Sequence, residues 1–190
     1  MVIGLTGPTG SGKSEVSKYL KKKGFFIIDS DKIVKDLYAN CNECIDDVGR
    51  HFEGVVDNNV VNKKKLAGIV FKDTKLLTKL CEVVNPYILN QIETEINDRD
   101  GECVILDAPT LFESGAYRLC DYSLAILSEK QICLNRILDR DGISYYDAIN
   151  RINVQPQDDF YIKYANEIVY NNGKLSDFIK DVENVLQKWV

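Results

Sequence analysis

Eight residues near the start of the chain, Gly7-Pro8-Thr9-Gly10-Ser11-Gly12-Lys13-Ser14, satisfy the pattern G-x-x-x-x-G-K-[S/T]. The glycines let the backbone curl until successive N–H groups point at phosphate oxygens, with the positive end of the following helix behind them. Lys13 is placed to reach β- and γ-phosphates, and the Ser14 hydroxyl to ligate Mg²⁺. The glycine order is G-x-x-G-x-G followed by Lys-Ser, not the G-x-G-x-x-G of dinucleotide sites, so a nucleoside triphosphate is favoured over a nicotinamide cofactor. The expected chemistry is phosphoryl transfer, carried by positioning and by neutralisation of charge.

Other residues fit that chemistry. Asp107 ends the apolar run Cys103-Val104-Ile105-Leu106, where a carboxylate either holds magnesium through water or serves only as a turn residue. Asp29 and Asp31 follow a second apolar run, and carboxylates two apart in an extended chain point the same way. One can cap the next helix while the other accepts a proton from a substrate hydroxyl. Arg136, Arg140 and Arg151 supply planar forks suited to phosphate oxygens, although each could equally be part of a surface ion pair.

The elements that must position these groups are legible from hydrophobic period. Val2–Thr6, Phe25–Ile28, Cys103–Asp107, Tyr122–Leu127 and Glu167–Tyr170 read as buried strands. Val16, Tyr19 and Leu20 recur at helical spacing after the loop, and Gly24 stands where that helix should stop. Residues from about 41 to 97 read as mostly helical, with a turn or small hairpin at Asp57-Asn58-Asn59 and a break at Pro86. A helix over 131–139, a polar stretch over 140–155 and a final amphipathic helix over 175–189 complete the pattern. Phe160, Tyr161 and Tyr164 are apolar positions with either a core or an interface role. Strands alternating with helices predict a mostly parallel sheet covered on both faces.

Composition bounds the rest. The 190 residues are 45 % hydrophobic, which suits one α/β core with insertions. A net charge of −5 argues against non-specific nucleic-acid binding, which needs a cationic surface. The apolar run at Val2 is too short for a signal sequence and no run is long enough to span a bilayer, so a cytoplasmic location is expected, with no membrane association and no obligate protein partner. The six cysteines are expected to be reduced thiols. Cys41 and Cys44 form the one close pair, and His51 nearby still leaves a zinc set one ligand short.

The ordered set of motifs resembles the dephospho-CoA kinase family over nearly the whole chain. The resemblance is carried by Leu5-Thr6-Gly7 with Gly10-Ser11-Gly12-Lys13-Ser14, by Ile28-Asp29-Ser30-Asp31, and by Asp107-Ala108-Pro109-Thr110-Leu111-Phe112-Glu113. Gln131, Arg136, Arg140-Asp141-Gly142-Ile143-Ser144, Ala148-Ile149-Asn150-Arg151, Gln155 and Asn171-Asn172-Gly173 continue it. It implies an α/β three-layer fold of the phosphate-loop NTPase type, with helices on both faces of a parallel sheet. The chain would then be one unit over 1–190, with a core at 1–30, 98–127 and 156–190, a helical acceptor-binding insertion at 31–97 and a lid at 128–155. The implied activity is transfer of phosphate from ATP, with Mg²⁺, to the ribose 3′-hydroxyl of the small molecule dephospho-CoA. By the same resemblance Asp31 is the base, Lys13 and Arg140 act on the phosphates, and Ser14 and Asp107 hold the metal. The nucleotide would lie along Gly7 to Glu15 and Arg136, with Asn171 and Gly173 near its adenine.

Five positions depart from the family pattern: Pro8 in place of glycine, Glu15 of threonine, Asn85 of histidine, Thr110 of leucine and Phe160 of lysine. A nucleoside or nucleotide kinase shares the loop, sheet and lid and is the alternative enzyme reading. A GTP-dependent switch is the alternative from another class, but the chain has no Asn-Lys-x-Asp guanine motif.

Overall fold

The computed structural model describes all residues from Met1 to Val190, and the chain divides into two compact units. The first comprises Met1–Ile28 and Gly101–Val190, the second Asp29–Asp100.

The first unit is built on a five-stranded sheet. In chain order its strands are β1 (Val2–Thr6), β2 (Phe26–Asp29), β5 (Val104–Asp107), β6 (Tyr122–Leu127) and β7 (Glu167–Tyr170). Their spatial order is β2-β5-β1-β6-β7, and the β1–β5, β1–β6 and β6–β7 pairs are parallel. All five residues of the central β1 are buried, which is why the strand reads as an unbroken apolar run instead of an alternating one. Helix α1 (Lys13–Lys22) follows β1 and buries Val16 and Leu20. The C-terminal helix α9 (Leu175–Leu186) buries Phe178, Val182, Val185 and Leu186. These residues form one core with Ile3, Leu5, Ile105, Leu124, Ile126 and Val169. On the opposite face Leu111 closes over Gly4 so tightly that a Cβ there would sit 2.7 Å from its side chain.

Helices α6 (Lys130–Asp141) and α7 (Tyr145–Asn153) form a hairpin with its own small core of Leu134, Ile137 and Ala148. The polar stretch expected over 140–155 thus contains a full helix, started by the Ser144 side chain accepting from Asp147 N–H. Helix α8 (Asp158–Tyr164) places one of its three aromatics in the core. Tyr161 is buried, whereas Phe160 and Tyr164 join Phe112 in a cluster at the surface, with centroids 5.0 to 6.0 Å apart.

The second unit is mainly helical: α2 (Ser30–Asn40), α3 (Asn42–His51), α4 (Lys63–Val70) and α5 (Thr74–Asn97). A two-stranded hairpin, β3 (Val56–Asp57) and β4 (Val60–Val61), is turned by Asn58 and Asn59 at φ 49° and 61°. Asparagine tolerates that left-handed pair better than other residues with a Cβ. Helix α5 packs against α2, α3 and α4.

One expectation is corrected. Pro86 does not break the chain into two helices, because α5 runs unbroken from Thr74 to Asn97. Proline removes the hydrogen bond to the carbonyl four residues back, that of Glu82. Pro86 and Glu82 both lie on the exposed side of α5, where water can satisfy that carbonyl, while Val84 and Ile92 anchor the buried side.

Candidate active site

The phosphate loop spans the end of β1 and the start of α1, and several of its conformations are open only to glycine. Gly12 caps α1 at φ 104°, and a Cβ there would overlap the Asn171 carboxamide. The loop closes on itself through Ser11 N–H donating to Pro8 O (3.2 Å) and Glu15 N–H to Gly12 O (2.9 Å). The N–H groups of Gly10, Gly12, Lys13 and Ser14 have no acceptor within the protein. Four free donors at a helix start suit an anion.

The loop is held from outside by residues far along the chain. Asn171, at the end of β7 and buried, donates from Nδ2 to Ser11 O (2.8 Å). Arg136 on α6 donates to Gly10 O (3.2 Å), Ser11 O (3.3 Å) and Ser128 Oγ (3.3 Å) through Nη1, and to Asn171 O (3.0 Å) through Nη2. Its guanidinium therefore ties together the loop, α6 and the end of β7. Thr9 N–H donates to Gln155 Oε1 (2.9 Å), a residue just past α7. Beside this contact lies a cleft of about 290 Å³, bordered by Pro8, Thr9, Lys130, Cys133 and the segment Pro156–Asp159.

Lys13 and Asp107 are brought together. The Lys13 ammonium bonds Asp107 Oδ1, and the Ser17 hydroxyl bonds Asp107 Oδ2. The two charged side chains are only 14 % and 13 % exposed, so each compensates the other in a largely dry setting. Glu113 lies at the end of the loop that follows β5, and burial raises its carboxyl above the ordinary range.

Arg140 is exposed and forks onto Asp141, with Nε 2.7 Å from Oδ1 and Nη2 2.9 Å from Oδ2. Arg151 Nη1 reaches the same Oδ2 at 2.7 Å. Those forks, Arg140 first, hold the Asp141 carboxyl below its usual range. Glu15 pairs with Lys18 on the surface. Gly173 has open space around it. Asp29 and Asp31 belong to the second unit, where Asp29 caps α2 by accepting from Lys32 N–H (3.0 Å). Asp31 is exposed in the first turn of α2 and its carboxylate carries no hydrogen bond or ion pair.

Two residues of the site, Ser17 and Ser128, were not singled out from sequence. Ser17 is one helical turn after Lys13, so both face Asp107, and that i, i+4 spacing was an available signal. The Ser128 hydroxyl lies between Asn171 O (2.8 Å) and Asn172 Oδ1 (3.0 Å), and Asn172 Oδ1 also accepts from Glu129 N–H (2.8 Å). That junction of β6 with the end of β7 leaves no local pattern in the chain.

A parallel sheet with this strand order, a phosphate loop between its central strand and first helix, and a paired lysine and aspartate define a phosphate-loop kinase. The solved structures agree. A Thermus thermophilus protein, TT1252, superposes over 100 % of this chain and 98 % of its own, with TM-score 0.84 and 27 % identity. Dephospho-CoA kinase from Campylobacter jejuni covers 98 % and 96 % of the two chains, with TM-score 0.71 and 26 % identity. In sequence, the dephospho-CoA kinase family model matches residues 1–177. Dephospho-CoA kinase of Fusobacterium nucleatum subsp. nucleatum is 38 % identical over 184 residues, 96 % of this chain and 95 % of that one. The chain belongs to the dephospho-CoA kinase family.

Proposed function

We propose that the chain transfers the γ-phosphoryl group of ATP to the ribose 3′-hydroxyl of dephospho-CoA, giving coenzyme A and ADP. The observation that carries this reading is the loop itself, with four free N–H donors near the Lys13 ammonium, in a chain that matches this family over residues 1–177.

In the proposed reaction the nucleotide phosphates lie on the N–H groups of Gly10, Gly12, Lys13 and Ser14, and Lys13 exchanges Asp107 for phosphate oxygens. The acceptor hydroxyl loses its proton to Asp31 as its oxygen bonds the γ-phosphorus. The bond from that phosphorus to the β–γ bridging oxygen breaks, and ADP leaves. Asp31 suits the role better than Asp29, because the Asp29 carboxylate is already engaged as a helix cap. The Ser14 hydroxyl and the Asp107 carboxylate are hard oxygen donors of the kind magnesium prefers, and they fit such an ion. Bound there, magnesium would neutralise charge on the β- and γ-phosphates. Arg140, released from Asp141, would stabilise charge on the transferring group, and Asn171 to Gly173 would flank the adenine.

The test is ADP release by the purified protein with Mg-ATP, with and without dephospho-CoA, with the product identified by mass. Release that depends on the acceptor and yields coenzyme A is the expected result. ATP binding without coenzyme A would remove the acceptor assignment and leave the phosphate loop standing.

A further inference from the structure

Gln155 has no part in the reaction as described so far, yet it makes one of the few side-chain contacts that any residue makes with the loop backbone. Its Oε1 accepts from Thr9 N–H at 2.9 Å across 146 positions of sequence. An N–H can only donate, so Oε1 faces Thr9 and the NH₂ is left free to donate elsewhere. That NH₂ has no partner within the protein. The main chain that carries it is held as well. Gln155 N–H donates to Ile152 O (3.3 Å), Gln157 Nε2 donates to Gln155 O (3.2 Å), and Lys130 Nζ bonds Asn153 Oδ1 (2.8 Å). A spare donor thus stands beside the phosphate loop.

The residue type matters. A carboxylate could accept from Thr9 equally well but would bring negative charge to a phosphate site. A lysine or arginine would attract phosphate but could not accept from Thr9. A carboxamide does both while remaining neutral. We propose that Gln155 is a phosphate-contacting residue: anchored through Oε1 on the loop, it donates through Nε2 to an oxygen of the terminal phosphate of the nucleotide. It thereby distinguishes a triphosphate from a diphosphate and couples the end of the α6–α7 hairpin to the state of the loop. This inference rests on the reading of the loop as an ATP site.

The experiment measures affinity for ADP and for a non-hydrolysable ATP analogue by calorimetry, on the wild-type chain and on Gln155→Glu and Gln155→Met, with thermal melts to establish folding. Both variants should bind the analogue about 10- to 100-fold more weakly, the worth of a hydrogen bond to a charged group. ADP affinity should stay within about twofold of wild type, a shift of under about 0.5 kcal/mol. Should Gln155→Glu not fold, Gln155→Met carries the same comparison. Equal losses for ADP and analogue would overturn the proposal in favour of simple loop anchoring, and unchanged discrimination would also overturn it. A wild-type chain that binds neither nucleotide would instead bring down the ATP reading, and this inference with it.

Discussion

Lys13 and Asp107 are each mostly buried and each is the other's counter-ion, so a single substitution leaves an unpaired charge in a poorly solvated place. A lysine so placed gives up its protein partner when phosphate arrives, and the exchange keeps its charge compensated throughout. Lys13→Ala should lower turnover by at least about 10²-fold, the usual effect of removing a donor to transition-state charge. Single-turnover phosphate transfer would check this, and a retained rate would remove the phosphate-loop reading. Asp31→Asn should lower kcat by about 10²- to 10⁴-fold while ATP affinity stays unchanged, as loss of a general base demands. Steady-state kinetics with equilibrium ATP binding measures both; near-normal turnover would reassign the base. Spacing alone left Asp29 and Asp31 as a pair, one to cap a helix and one to accept a proton, and only the family resemblance singled out Asp31. Their difference is a matter of one hydrogen bond, the cap to Lys32 N–H, which the folded helix supplies to Asp29 alone.

Among the elements, α5 shows how a local rule yields to packing. Its 24 residues continue through Pro86 because the lost hydrogen bond lies on the solvent side, while buried Val84 and Ile92 hold the other side. The proline still costs helix stability, since Glu82 O has no backbone donor. Pro86→Ala should therefore raise the denaturation midpoint, by up to about 3 kcal/mol of stability. Urea unfolding checks it, and a fall in the midpoint would mean that the proline conformation itself is used. The α6–α7 hairpin shows the opposite balance. Arg140 and Arg151 share Asp141 on an exposed surface, where ion pairs contribute little to stability. Those arginines are cheaply released, which suits groups expected to act on phosphates.

For the molecule as a whole, buried weak acids set an alkaline limit. Burial pushes the Cys44 thiol up to about 11, the Cys120 thiol up to about 12 and the Tyr38 hydroxyl up to about 12. All three are raised above their unfolded values, so above about pH 9 the unfolded chain loses these protons first and binds fewer of them. Stability is fully present below that pH and falls as pH rises toward about 11 to 12. Thermal midpoints measured from pH 8 to 11 should decline, and Cys44→Ala with Cys120→Ala should flatten the decline. A flat wild-type profile would contradict the burial of these groups. No helix is long and apolar enough to cross a membrane.

The chain by itself determined the phosphate loop and the order of strands and helices around it. Glycine spacing and apolar runs are short-range signals: β6 and β7 fall on the expected residues, and β1 directly precedes the expected loop. Only the tertiary structure decided which polar groups meet. That Asp107 holds Lys13 and Ser17, that Arg136 and Asn171 grip the loop carbonyls, and that Gln155 caps Thr9 all depend on contacts between distant segments. Such contacts leave no period in sequence, because a hydrogen bond needs two groups within about 3 Å and places no demand on the residues between them.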